Sequence, residues 1–267
     1  MSGVPDLNAA YAELGDGLFS PGPLTCGPWH PEHQHAGPPS ALIARAVERM
    51  GASDGLTHLA RLTVNLIRPI PVAECLIETA PDYVGRAAAH YSGRVVSLGK
   101  EVARFTALMQ REDDLPVPEG TPGHPLPKAP RPPEASEVVR MSFGRDFGYA
   151  SLVENRLAEG DYFRGPCAVW FRLNHPLVAG EAPSPYQRAT VAADSGNGVS
   201  AALDFARYAF VNSDLTVNLF RRPAGEWICL QARTLLGGNG CGLAESALFD
   251  EAGLIGRATQ SLAIRKR

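Results

Sequence analysis

The sequence is short of several things, and each shortage closes off a class of function. Cysteine occurs five times in 267 residues (Cys26, Cys75, Cys167, Cys229 and Cys241), with no pair at CxxC spacing. An odd, scattered set argues against a disulfide framework or a zinc knuckle and predicts reduced, mostly buried thiols in a cytoplasmic protein. No run approaches the roughly 18–20 apolar residues of a bilayer-spanning helix, so no membrane span is expected. The opening Met1-Ser2-Gly3-Val4-Pro5-Asp6 has neither a basic nor an apolar leader segment, which predicts no signal peptide. Neither sign of charge dominates. The net charge of −3 gives no electrostatic case for nucleic acid as a partner. GxSxG is missing, which argues against a serine nucleophile on an elbow. Gly237-Gly238-Asn239-Gly240-Cys241-Gly242 joins two strand patterns and opens no helix, so it reads as a hairpin turn and not a dinucleotide loop.

What is present points to a packed protein, with 45% hydrophobic and 20% charged residues. A proline-rich segment at 113–137 has no apolar periodicity. It predicts an extended spacer, because proline neither donates to a ladder nor fits a helix interior. The chain thus divides into an N-terminal unit at 1–112, a linker at 113–137 and a C-terminal unit at 138–267.

The two units are related. Leu62-Thr63-Val64-Asn65-Leu66-Ile67-Arg68 returns as Leu215-Thr216-Val217-Asn218-Leu219-Phe220-Arg221, displaced by 153 positions and identical at six of seven. Its alternation of apolar and polar positions predicts a half-buried antiparallel strand. Three further strands follow in each copy, with final hairpins at 97–100 and 250–253. Each copy also has one helix ahead of its strands. In the first, Pro39 opens a run with Leu42, Ile43, Ala46, Val47 and Met50 at helical spacing, and Gly51 is expected to stop it. Arg45, Glu48 and Arg49 would form the polar face. In the second, Ser184 is the expected N-cap and Pro185 the first residue. Tyr186, Ala189 and Ala193 form its buried stripe, and Gly196 and Gly198 end it. One long helix on an antiparallel sheet, twice over, predicts an α+β architecture.

Four stretches carry a family resemblance: His35-Ala36-Gly37-Pro38-Pro39-Ser40-Ala41-Leu42, Ala193-Asp194-Ser195-Gly196-Asn197-Gly198, Asn212-Ser213-Asp214-Leu215-Thr216-Val217 and Gly256-Arg257-Ala258-Thr259-Gln260. In this order they resemble the double-hotdog acyl-CoA thioesterases of the thioesterase II type. The resemblance implies two fused hotdog units, each a long helix wrapped by a curved antiparallel sheet. It also implies hydrolysis of an acyl-CoA by an activated water, without cofactor or metal. Fold alone does not fix chemistry, so the residues are weighed individually.

Asp194 falls in the last turn of the second helix, where the macrodipole disfavours a carboxylate by roughly 0.3–1 kcal/mol. A residue set against a local rule beside glycines is a candidate general base; the plain alternative is an Asp that closes the glycine turn. Gln260 lies on the last strand, with Thr106 expected as its counterpart in the first copy. Its amide can both donate to and accept from a water, and the resemblance implies that it works with the aspartate. The plain alternative is a solvent-facing strand residue. In the resembling family a hydroxyl residue stands two positions before the aspartate that opens this strand. Here Asp214 matches that aspartate and Asn212 occupies the hydroxyl position. Alternation turns Ser213 to the opposite face. For the oxyanion, backbone N–H groups at a helix start are suited. Gly37 precedes the first helix and is the candidate donor, with Ser40 following because Pro38 and Pro39 have no N–H. His35 is expected to contact substrate or orient the Gly37 loop. His30, His33 and His35 invite a zinc reading, but standard Asp or Cys spacing is missing and no metal is expected. Arg221 and Arg222 could meet CoA phosphates, or be merely solvated. One half keeps the glycine turn and the other keeps Asp194 and Gln260, which predicts one working site per chain. A non-catalytic acyl-CoA or lipid binder is the competing reading, favoured by Asn212. A hotdog dehydratase ranks lowest, because Asn174-His175-Pro176 lacks the preceding Asp. A homodimer of such chains would be unsurprising.

Overall fold

The computed structural model describes residues 8–123, 125–140 and 148–267; the opening Met1-to-Asp6 stretch read above lies outside them. The first half contains β1 (Tyr11–Gly15), β2 (Leu18–Pro21), α1 (Gly37–Ser53), β3 (His58–Leu66), β4 (Cys75–Val84), β5 (Ala88–Ser97) and β6 (Lys100–Gln110). The second contains β7 (Glu137–Val139), α2 (Tyr149–Leu152), β8 (Val153–Gly160), β9 (Cys167–Leu173), α3 (Pro185–Ala193), α4 (Gly196–Val199), β10 (Tyr208–Asn212), β11 (Asp214–Leu219), β12 (Ile228–Leu236), β13 (Cys241–Asp250) and β14 (Gly253–Lys266).

One antiparallel sheet runs through both halves in the order β1-β2-β4-β5-β6-β3-β11-β14-β13-β12-β9-β8-β7, with β10 also paired to β14. The repeated strands β3 and β11 are direct neighbours, and Thr63 lies opposite its own counterpart Thr216. Their hydroxyls are 3.2 Å apart. That pair marks a pseudo-twofold axis, and the strand order outward from it matches through six strands on each side, with β7 and β10 added in the second half. Helix α1 packs on α3 between the two arms of the sheet. The main apolar core joins Leu42 and Val47 of α1 to Tyr186 and Val191 of α3, and to Leu62 and Leu215 of the central strands, with a smaller one around Trp170, Trp227 and Phe249.

The helix boundaries depart from the periodicity. Helix α1 starts at Gly37, with Pro38 and Pro39 in its first turn, and continues past Gly51 to Ser53. Gly51 serves packing there: a Cβ would lie 2.7 Å from the Met109 Cε and 3.0 Å from the Leu56 carbonyl oxygen. Arg45 is not on a solvated face. It is buried and bridges Glu13 and Glu181, each at 2.6 Å, tying the first helix to the second half. Ser184 caps α3 by accepting from the Gln187 N–H at 3.1 Å. The helix ends at Ala193, so Asp194 is its C-cap, and Gly196 and Gly198 fall in the separate turn α4.

Register also corrects the expected counterpart of Gln260. In the first half Thr63 faces Thr106 and Leu62 faces Ala107; in the second, Thr216 faces Thr259. One step along, Gln260 corresponds to the buried Ala107 and not to Thr106. The proline-rich segment has no strand or helix among its described residues before Pro133. Its later part is anchored, with Arg131 Nε donating to the Ala158 carbonyl at 2.6 Å and its own carbonyl accepting from Trp170 Nε1 at 2.7 Å.

Candidate active site

Asp194 is held where the end of α3 meets the start of α1 and the middle of β14. Its Oδ1 accepts from Asn212 Nδ2 at 2.9 Å and from Gln260 Nε2 at 3.3 Å, and its Oδ2 lies 3.0 Å from His35 Nδ1. His35 comes from the first half and the other two from the second, so the carboxylate sits on the seam. Gln260 spends its remaining capacity on backbone. Nε2 also donates to the Asp194 carbonyl at 3.0 Å, and Oε1 accepts from the Asn197 N–H at 2.8 Å. Gln260 therefore fixes the carboxylate and the turn after it. Gly196 permits this approach, since a Cβ there would lie 3.2 Å from Gln260 Oε1 and 2.9 Å from Ser246 Oγ.

His35 is oriented by a residue that the sequence reading missed. The Tyr149 ring stacks on it at 3.6 Å between centroids and 4° between planes. The Tyr149 hydroxyl is 2.7 Å from Ser195 Oγ and 3.2 Å from the Val191 carbonyl oxygen. Burial raises the Tyr149 pKa, so the hydroxyl keeps its proton as a donor. Its own segment has no periodicity that would single it out.

The Gly37 N–H donates to His35 Nδ1 at 3.1 Å. One imidazole nitrogen cannot accept that bond and also donate to Asp194, so the two contacts belong to different tautomers. Gly37 has no room for a side chain; a Cβ would lie 2.9 Å from the Val191 carbonyl oxygen. Ser40 is not brought to the site. It is buried, and its N–H donates to the Ala36 carbonyl at 3.1 Å. Arg221 is engaged elsewhere, in a forked pair with Asp250.

A cavity of about 410 Å³ opens beside this constellation, bordered by His35, Ala36, Asp194, Asn197 and Asn212. Gln260 and Gly37 lie behind its wall. Ser213 borders the cavity together with Asn212, against the expected alternation. All of residues 208–213 border it, and a bulge follows: from Asn212–Leu262 to Thr216–Thr259, four steps on one strand face three on the other. Such bulges re-aim side chains. Arg68 and Arg267 also border the cavity. Among the described residues no group of three or more His, Cys, Asp or Glu is placed to hold a metal ion. His30 and His33 stack on each other, while His35 faces Asp194.

Two family models cover most of the chain: an acyl-CoA thioesterase N-terminal domain matches residues 25–110, and an acyl-CoA thioesterase C-terminal domain matches residues 118–264. The chain belongs to the acyl-CoA thioesterase family. It is accordingly a thioester hydrolase of the double-hotdog type. Solved structures agree on the fold. A hot dog fold protein from Alicyclobacillus acidocaldarius superposes with a TM-score of 0.74 at 17% identity, covering 97% of each chain. The tesB protein of Mycobacterium avium subs. paratuberculosis gives 0.69 at 18% identity, covering 96% of this chain and 95% of that one. Acyl-CoA thioesterase II TesB2 of Mycobacterium marinum gives 0.65 at 16% identity, with coverages of 96% and 95%. No curated protein matches the sequence. No helix among the described residues is long and apolar enough to cross a membrane. The second seam, related by the pseudo-twofold axis, does not repeat the Asp194 constellation. By the offset of 153, Leu59 stands for Asn212 there and Ala107 for Gln260, and both are buried.

Proposed function

We propose that the protein hydrolyses an acyl-CoA thioester with a water activated at Asp194. The observation that carries this reading is the seating of the carboxylate on the cavity wall with three side-chain donors around it. A carboxylate offers about four acceptor positions. Three are occupied, which leaves one on Oδ2 for a water entering from the cavity. Fixing base and water in this way converts solvent attack into an oriented event. Asn212, Gln260 and His35 are positioning residues here, because they act on the water through the carboxylate. In the His35 tautomer that does not donate to Asp194, the Gly37 N–H holds Nδ1; being behind the cavity wall, it positions the ring and does not itself meet the oxyanion. Arg68 and Arg267 at the cavity would meet the phosphates of CoA. The site would operate once per chain, in a cytoplasmic protein with units at 1–112 and 138–267.

A second assignment of the base rests on the 3.0 Å His35–Asp194 contact. His35 Nε2 would take the proton from water, with Asp194 holding the ring in the correct tautomer, as in other histidine–carboxylate pairs. Thiol release from a panel of acyl-CoAs tests the activity, and a binder without turnover would give tight binding and no thiol. Asp194→Asn should lower kcat by about 10²–10⁴-fold, the usual worth of a general base, with an unchanged Tm. Retained activity would remove Asp194 from the mechanism. An equal loss in His35→Gln, together with loss of the acidic limb of the kcat–pH profile, would move the base to His35.

A further inference from the structure

Aromatic residues are scarce in this chain, at 7%, yet they converge on the cavity. Trp29, Phe163, Phe205, Tyr208 and Phe210 all border it. Four of them form a continuous panel. Phe205 lies at its centre, 5.0 Å from Trp29 with a 33° tilt and 4.7 Å from Phe210 in a stacked pair. Phe163 meets Phe205 edge-on at 6.1 Å and 79°. These rings come from three loops and one strand, separated by up to 181 positions, so no local periodicity accounts for their meeting. Trp29 is half exposed. The rest of the apolar lining, Leu66, Ile67 and Ile70 among it, is aliphatic.

A saturated acyl chain would gain only burial from such a wall. A ring gains burial and, in addition, the quadrupole attraction available in offset-stacked and edge-to-face geometries. The panel already displays both geometries around Phe205 and would present the same choices to a further ring. We propose that the acyl group hydrolysed here carries an aromatic ring, so that the substrate class is an aryl-acyl-CoA. This deepens the thioesterase reading and rests on it.

The test compares phenylacetyl-CoA with cyclohexylacetyl-CoA, which share carbon count and linkage and differ in the π-system. The ring pairing predicts a kcat/KM about two- to tenfold higher for phenylacetyl-CoA. Phe205→Leu should bring the ratio to within twofold of unity, whatever its effect on absolute rate. A ratio at or below one in the unaltered protein would overturn the proposal, and so would a phenyl preference that survives Phe205→Leu. If no acyl-CoA of any kind is turned over, the thioesterase reading fails separately. The two thioesters then serve as stable ligands in calorimetry, where phenylacetyl-CoA binding no tighter than its saturated partner overturns the ring preference.

Discussion

Gly37 illustrates how much of this site depends on the lack of a side chain. A methyl group there would press on the Val191 carbonyl, which belongs to α3 backbone and already accepts from Tyr149. Gly37→Ala should therefore push the start of α1 off the end of α3. The cost expected for such overpacking is about 1–3 kcal/mol, read as a lowered urea midpoint. A variant with unchanged midpoint would show that the contact yields freely. Gln260→Glu makes a different demand. It replaces the Nε2 donor facing Asp194 Oδ1 with an oxygen, so the carboxylate must move or share a proton. We expect kcat to fall about 100-fold with KM within twofold, since displacement of the reacting group by 1 Å costs that much. A raised KM at constant kcat would place Gln260 in substrate binding. That Asp194, Gln260, Asn212, His35 and Gly37 lie together was signalled by the family-like order of the motifs. Their mutual bonding was not. A one-dimensional pattern does not reveal that amides expected to hold water turn instead to the carboxylate.

At the scale of elements, the four strands that close each copy and their hairpins were the most legible features, since a period of two and turn residues encode them locally; β1, β2 and β7–β10 were not foreseen. Helix ends were less so, because packing of Gly51 and burial of Arg45 depend on distant partners. The hairpin between β13 and β14 shows another long-range tie. Asp250 is buried, accepts the Arg221 guanidinium on both oxygens at 2.6 Å, and also accepts the Ala224 and Ala252 N–H groups at 2.7 and 2.8 Å. Burial by itself would raise its pKa; the fork and the two N–H donors outweigh burial and hold it below the ordinary aspartate value. A depressed folded-state pKa adds stability above the unfolded value of about 3.9, lost as pH falls through the folded value. Asp250→Asn should thus cost about 3 kcal/mol at pH 7, the low end for a broken buried pair because Arg221 still reaches solvent. The gap to the unaltered protein should narrow as the pH falls below about 3.9 and through the folded-state value. A pH-independent gap in the urea midpoint would assign the loss to packing and not to charge.

For the molecule as a whole, duplication creates two seams, and divergence has left the Asp194 constellation on one of them. At the Asp194 seam, the first half supplies His35 and Gly37 while the second supplies Asp194, Asn212 and Gln260. At the other, the side chains of Leu59 and Ala107 offer no hydrogen bonds, and the start of α3 is engaged in structure. Ser184 there donates to Glu48 at 2.7 Å, and Tyr186 meets His58 at 3.0 Å. Polar groups already satisfied by one another gain nothing from a ligand, and filling that seam would cost their bonds. Calorimetric titration of Asp194→Asn with an acyl-CoA should accordingly give one equivalent per chain, the substitution allowing binding without turnover. Two equivalents would mean that the second seam has kept a binding function. Glu48→Ala should leave the stoichiometry at one and lower the Tm, because its loss strips partners from the Ser184 cap and Gln187 without touching the cavity.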